Sequence, residues 1–427
     1  MSGASSSGVD TGPLLELVRN EALAARAALG QLAPATVDAA LERVVQGLAE
    51  RRADLLRANA DDLAAAKERL DAGALDRLRL DAARFHAMAG GVQATAALEP
   101  IEREVRSWTL ANGLEVSERR IPVGVVGANF EARPNVAVDI ASQVLKSGNA
   151  VLLRTGAAAL GTVTALVDTV LRPALEEYGL PGGAVGLVRS ADRAGAEALV
   201  SLPEHVPLVI LRSSGASTAA LTRLAAANGV GTLAHAEGGG VLYAHAAASE
   251  EKLAAVARAS LDRLGVCNRL NLALVDREAP QLAAVVVAVS AELGIEARST
   301  AGLPGTQPLD RPRGYEWASD AERVATVTVE LVSDLDEAVR IANEETSGLA
   351  ATIVTEDGEA AARFLDGYGG TAALWNATTR FTDGFELLGI PETGVNVDRL
   401  PGPRGPVTYL DLSLRQYRVI GDGTQRR

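Results

Sequence analysis

The chain has 427 residues, 48% of them hydrophobic but only 3% aromatic, and a formal net charge of -13. That length exceeds what one hydrophobic core spans and predicts two or three lobes, with cores built from Ala, Val and Leu. The negative charge excludes a general nucleic-acid binder, which needs a basic face for phosphates. A single cysteine, Cys267, excludes an internal disulfide framework. His86, His205, His235 and His245 have no metal-ligand spacing, so no metal is expected. No run of about 18 consecutive apolar residues stands in the chain, so no membrane span is expected either.

The first 13 residues are Ser/Gly-rich and lack a basic start and an apolar core. They predict a disordered tail, not a signal peptide, and a cytoplasmic protein. From about Leu14 to Leu80, apolar residues recur three and four apart, which predicts helices. A glycine-punctuated apolar run, Ile121 to Gly127, then precedes an amphipathic helix over Val136 to Lys146. Ala150 to Leu153 reads as a buried strand and Thr162 to Tyr178 as a long helix. Strands Ala184–Val188 and Pro207–Leu211 each precede another Ala-rich helix. This alternation with short connections predicts a doubly wound α/β domain of parallel strands.

A second α/β series starts near Thr232. Its helices are predicted over Glu250–Leu264, Gln281–Leu293, Leu335–Glu345 and Glu359–Leu365. Its strands are predicted over Asn271–Val275, Val324–Leu331, Ala350–Val354 and Thr371–Leu374. A Gly/Pro-rich tail from Gly389 ends in the alternating stretch Leu410 to Ile420, which reads as a strand. A terminal strand after an irregular tail commonly pairs with another subunit.

Several segments could carry chemistry. Gly156 to Thr162 follows a strand and enters a helix, the outline of a phosphate loop, but lacks the lysine of a nucleotide triphosphatase. Its helix N-terminal amides could still face a dinucleotide pyrophosphate, although no Gly-x-Gly-x-x-Gly stands in the chain. Leu211-Arg212-Ser213-Ser214-Gly215 offers hydroxyls at another strand-to-helix junction and reads equally well as a helix cap. His235-Ala236-Glu237 has the His-x-Glu of zinc deaminases without their Pro-Cys-x-x-Cys. Glu237 reads either as a general base on a mobile turn or as a solvated loop acid.

Two polar clusters follow apolar strands, where ligands bind in open α/β sheets: Glu131-Ala132-Arg133-Pro134-Asn135, and Asn376 through Gly384. Each alone reads as a hydrogen-bonded loop. Cys267 alone is either a small buried hydrophobe or a nucleophile. Together they supply a nucleophile, an amide donor and two arginines for an anionic group.

These residues are where the chain resembles the gamma-glutamyl phosphate reductase family of the aldehyde dehydrogenase superfamily, from about residue 15 to the C-terminus. The similar pieces are Asp76-Arg77-Leu78-Arg79-Leu80, Asn112-Gly113-Leu114, Pro122 to Gly127, and Glu131 to Val136 with Asp139. Further pieces are Leu145 to Ala150, Val266-Cys267-Asn268, and Arg380 to Gly384 with Glu392.

The resemblance implies an aldehyde dehydrogenase-like α/β fold with three parts. A Rossmann-type cofactor domain would take residues 14–107 and 121–231, and an α/β catalytic domain 232–399. A small β oligomerisation element would take 108–120 and 400–427. It implies NADPH-dependent reduction of L-glutamate 5-phosphate to the semialdehyde in proline biosynthesis, through a thioester on Cys267. Asn135 would hold the oxyanion with the Cys267 backbone N–H. Glu131, Arg133, Asn268, Asn376, Arg380 and Thr382 would contact substrate, and Arg154, Gly156, Ser213, Ser214 and Glu392 the NADP. The implied partners are a second copy (dimer or tetramer) and a glutamate 5-kinase-like supplier of the acyl phosphate.

The departures cluster. Ala157 stands where the family has a lysine, and Leu211-Arg212-Ser213-Ser214 where it has Pro-Arg-Gly-Gly. Gly238-Gly239-Gly240-Val241 replaces Gly-x-Cys-His, Asn271 a glutamate, and Leu349-Ala350-Ala351 a His-Thr-Glu. Arg258 to Arg263 replaces an Asn-Ala-Lys-x-Gln-Arg approach to the cysteine. The pattern is that of a divergent member. It leaves open a paralogue that reduces another acyl phosphate or oxidises another aldehyde, a hydrolytic aldehyde dehydrogenase using Glu237, and a fold-retaining protein without cofactor binding.

Overall fold

The computed structural model describes residues 12–213, 215–234, 238–263, 266–317, 324–399 and 402–426. The chain divides into two compact units, Met1–Ala234 with Ile390–Gly394 and Val407–Arg427, and His235–Gly389 with Val395–Pro406. The sequence boundary at 231/232 lies three residues from this division. Residues 407–427, however, belong to the first unit instead of standing apart.

The first unit opens with α1 (Gly12–Ala28), α2 (Pro34–Ala66), α3 (Ala72–Leu78) and α4 (Ala82–Ala96). Gly12 and Pro13 are therefore helical, not tail, and residues 1–11 lie outside the described residues. Proline at the first position of α2 gives up only an amide the helix cannot use. Val37, Ala40, Leu41, Val44 and Leu48 then form its buried stripe. Strands β1 (Glu104–Thr109), β2 (Glu115–Pro122) and β3 (Val125–Phe130) come next, then α5 (Asn135–Lys146) and β4 (Ala150–Thr155).

The predicted helix over 162–178 is α6 (Leu160–Leu166), a π-turn over Val167–Leu171, and α7 (Arg172–Glu177). The run Ala157–Glu177 has the length and hydropathy of a membrane span, although Thr162, Asp168, Arg172 and other polar residues interrupt it. Here Val163, Leu166, Val167, Val170 and Leu171 lie in the core of the first unit. The unit is completed by β5 (Val185–Leu187), α8 (Ala194–Leu199), β6 (Leu208–Arg212), α9 (Gly215–Asn228) and β7 (Gly231–Ala234).

A five-stranded parallel sheet has the order β5-β4-β3-β6-β7. Every residue of β3 and β4 is buried, as in a parallel sheet covered on both faces. Several of the family-like pieces are scaffold. The buried Asn59 donates to Leu78 O (2.9 Å) and accepts from Leu80 N (2.8 Å), gripping the Asp76–Leu80 segment. Lys146 ties α5 to α2 and α4 by donating to Asp38 (2.6 Å) and Ala96 O (3.1 Å). Asn149 accepts from Gly124 N (2.8 Å) and donates to Leu412 O (2.8 Å).

The second unit contains β8 (Gly240–Ala244), α10 (Glu250–Ser260), β9 (Leu270–Asp276), α11 (Gln281–Glu292), β10 (Glu296–Ser299) and β11 (Gln307–Pro308). It continues through β12 (Thr326–Val332), α12 (Leu335–Glu344), β13 (Ala350–Val354), α13 (Gly358–Gly367), β14 (Ala372–Trp375) and α14 (Gly384–Leu388). A seven-stranded parallel sheet has the order β11-β10-β12-β9-β8-β13-β14. Ser249, Asp334 and Asp357 cap the helices that follow them by accepting from backbone amides.

Two short strands, β15 (Gly394–Asn396) and β16 (Gly405–Val407), pair with each other, and β17 (Ser413–Ile420) pairs antiparallel with β2. The order β1-β2-β17 leaves β17 on an edge, with Leu414 through Ile420 exposed. Tyr417 meets Trp108 edge-on, their centroids 6.1 Å apart.

Candidate active site

From β3 the chain winds to β4 and β5 on one side of the five-stranded sheet, then returns to β6 and β7 on the other. The strand order therefore reverses between β3 and β6, and ligands bind open α/β sheets at the carboxyl ends of strands beside such a reversal. Polar side chains gather there. Asn129 accepts from Arg154 Nη1 (3.1 Å) and donates to Ser213 Oγ (3.3 Å), which lies 3.5 Å from Thr218 Oγ1. Arg154 is buried and also donates to Asp192 O (2.8 Å), while its Nε has no acceptor among the described residues. Burial lowers its pKa against the pull of Glu131 and Asp192. Arg154 thus offers charge at a strand end, not a side chain able to reach out. Gly156 starts the 3-10 turn Ala157–Ala159 that leads into α6. Ser214 lies outside the described residues.

Beyond β3, Glu131 accepts from Ser217 Oγ (3.4 Å). Ala132 takes φ 47, a left-handed value uncommon for a residue with a Cβ, and so turns the chain sharply into α5. Arg133 is partly exposed in that turn. Asn135 is the first residue of α5 and donates through Nδ2 to Asp139 Oδ2 (3.0 Å). Loss of hydration pushes the Asp139 carboxyl up to about 6, against the opposing effects of Arg212 and the Asn135 hydrogen bond. Arg212 donates to Thr393 O (3.2 Å), next to the partly exposed Glu392. Sequence reasoning left Asn129, Asp139 and Arg212 out of the site. For Asp139 the signal was present, since positions four apart share a helix face.

In the second unit, Cys267 is partly exposed in a turn ahead of β9, at the amino edge of the seven-stranded sheet. Its carbonyl accepts from Gly239 N (2.6 Å), and that of Arg269 from Gly240 N (2.7 Å). Asn268 donates to Arg380 O (3.2 Å) and Thr382 O (3.1 Å), and its side-chain oxygen accepts from Arg380 Nη1. The same arginine donates through Nε to Asp262 (2.8 Å). Expected as substrate contacts, Asn268 and Arg380 are thus engaged with each other through their side chains and Thr382 with Asn268 through its backbone carbonyl, and Arg380 has a carboxylate partner already. Asn376 is not brought to Cys267. It follows β14 and clamps Thr355, accepting from its N (3.0 Å) and donating to its O (2.9 Å). That is the carboxyl edge of the sheet whose amino edge carries Cys267, with β8 and β13 between β9 and β14. No group of three or more metal-binding side chains exists among the described residues.

Curated relatives extend this picture over nearly the whole chain. Gamma-glutamyl phosphate reductase of Clavibacter michiganensis is 37% identical over 413 residues, 94% of each chain. That of Zymomonas mobilis is 34% identical over 426 residues, 98% of each. The chain belongs to the gamma-glutamyl phosphate reductase family. The crystal structure of gamma-glutamyl phosphate reductase from Thermotoga maritima superposes with TM-score 0.87 at 28% identity, covering 98% of this chain and all of that one. An acetylating aldehyde dehydrogenase from Geobacillus thermoglucosidasius (TM-score 0.69, 14% identity, covering 98% and 100%) shares the fold. The aldehyde dehydrogenase family model matches residues 325–410.

Within this reductase family, the departures around Cys267 have local physical reasons. A Cβ on Gly238 would lie 2.6 Å from Cys267 Cβ. One on Gly239, at φ +103, would lie 2.9 Å from Asn271 Cβ, and one on Gly240 2.6 Å from Thr379 Oγ1. All three positions are therefore closed to side chains. Asn271 is buried and uses both ends of its amide, donating to Tyr315 O (2.5 Å) and accepting from Trp317 N (2.8 Å). It anchors the segment ahead of β12 and carries no titrating group.

Proposed function

We propose that this chain catalyses the NADPH-dependent reduction of L-glutamate 5-phosphate to L-glutamate 5-semialdehyde and phosphate, with Cys267 as nucleophile. Near-full-length identity to two gamma-glutamyl phosphate reductases supports the substrate. The observation that carries the chemistry is that the chain's one cysteine, at the margin of the Leu349, Ala350 and Val395 cluster, stands partly exposed in a turn.

The Cys267 thiolate adds to the acyl carbon, the C–O bond to phosphate breaks, and a thioester remains. A nicotinamide cofactor supplies hydride when bound. The thiohemiacetal on Cys267 then collapses, returning the thiolate and releasing the aldehyde. Asn135 and the Cys267 N–H donate to the oxyanion at each addition. Glu131 and Arg133 meet the amino and carboxylate ends of the substrate.

Asn129, Arg154, Gly156 and Ser213 fit the cofactor role, because they meet at the strand-order reversal where donors and a positive charge face a strand end. Glu392 completes this set. The first unit's sheet accordingly serves the cofactor, the second unit the nucleophile, and the sheet of β1, β2 and β17 joins subunits. The reaction runs in the cytoplasm beside a kinase-type enzyme that makes the acyl phosphate.

The test is NADP⁺ reduction by glutamate 5-semialdehyde with phosphate. Cys267→Ala is expected to abolish turnover while cofactor titration stays unchanged. Full turnover in that variant overturns the mechanism, and turnover only with other aldehydes overturns the substrate.

A further inference from the structure

We propose that Asp139 is a positioning residue that fixes which end of the Asn135 amide faces the reacting carbonyl. The inference rests on the oxyanion role of Asn135 in the proposed reaction.

A primary amide is nearly symmetric in shape, and a half-turn exchanges its NH2 for its C=O. Only the NH2 orientation stabilises an oxyanion, since a carbonyl oxygen in the same place would repel it. Asn135 begins α5, where it has no preceding helical turn to restrain its side chain. Asp139, one turn on, accepts from Asn135 Nδ2 at 3.0 Å. An ionised carboxylate is acceptor-only, so it selects the NH2 and rejects the C=O. The contact uses one of the two N–H bonds and leaves the other to donate elsewhere.

The carboxylate has neighbours from two other elements. Gly91 of α4 faces it, where a Cβ would lie 3.7 Å from Oδ1, in ordinary contact. Arg212 at the end of β6 exerts a favourable charge on its ionised form, and that arginine is anchored on Thr393 O. Within the first unit, Arg212 thus acts on Asp139 through its charge, and Asp139 on Asn135 through a hydrogen bond.

A double-mutant cycle on the full-length enzyme tests this. Asp139→Ala is expected to lower kcat about 10- to 100-fold, less than the 10²–10³ typical of removing an oxyanion donor. The KM values should move less than about 3-fold. In an Asn135→Ala background the same change should alter kcat less than about 2-fold, because there is no amide left to orient. Asp139→Asn, which keeps an acceptor oxygen, should restore part of the rate in the Asn135 enzyme only. Equal losses from Asp139→Ala in both backgrounds indicate a merely structural role and overturn the inference alone. So does an unchanged kcat for Asp139→Ala while Asn135→Ala is impaired. Full turnover of Asn135→Ala overturns the donor role itself, and the inference with it. If Asp139→Ala does not fold, Asp139→Asn in the two backgrounds gives the same readout: a loss confined to the Asn135 enzyme supports the inference, and equal losses overturn it.

Discussion

A carboxyl held near 6 gives the Asn135–Asp139 pair a pH signature. Protonation turns Asp139 from an acceptor-only group into one that can also donate, which loosens its selection of the amide end. The charged group acting on it from outside α5 is Arg212 on β6, while α4 presents Gly91. Turnover should therefore fall as pH drops through about 6 and recover above it. The acidic limb of a kcat–pH profile should disappear in Asp139→Asn, and persistence of that limb would assign it elsewhere. Stability moves the other way. A raised carboxyl pKa favours folding below the usual carboxylate range, and that contribution is lost as pH rises through about 6.

Among the secondary-structure elements, the glycine run ahead of β8 sets how closely the Cys267 turn approaches the sheet. Gly239→Ala forces a left-handed φ on a residue with a Cβ and drives it into Asn271. The expected cost is about 2–4 kcal/mol, read as a lowered denaturation midpoint, with activity falling further than stability. The helices of the first unit depend on Lys146 in the same way. Its side chain is 1% exposed, and Lys146→Ala leaves Asp38 without its cation and Ala96 O without its donor. A loss of about 3 kcal/mol in urea unfolding is expected.

These elements also show what the sequence made legible. Buried strands and their crossover helices were readable because β3, β4 and β9 each carry an apolar run of four residues and α12 and α13 are amphipathic. Arg380 was found in a polar cluster after a strand, and Asn268 through the family resemblance beside Cys267. Their engagement with each other was not readable, because 112 residues separate them in sequence. The hydrogen bonds of Asn376 to Thr355 were unreadable for a related reason: polarity after a strand marks a sheet edge, but not the partner across it. Asn271 looked like the loss of a functional glutamate, yet its buried amide contacts depend on a segment more than 40 residues away.

At the scale of the whole molecule, β17 presents Leu414, Tyr417, Val419 and Ile420 at 48–54% exposure on an edge strand. Such an edge invites pairing with another chain. If β17 joins subunits as proposed, Val419→Lys with Leu414→Lys should shift the enzyme to a smaller species in sedimentation, with each subunit still folded. An unchanged mass would remove β17 from the subunit contact.

Cys267 has a practical consequence for anyone handling the enzyme. A chain with one thiol, partly exposed and in no disulfide, carries a built-in stoichiometric label. One equivalent of a maleimide per chain should react, and intact-mass analysis should find a single adduct at Cys267. The fraction of chains alkylated then counts reactive Cys267 thiols directly. Slowing of that reaction by added acyl phosphate or aldehyde measures occupancy without any need for turnover.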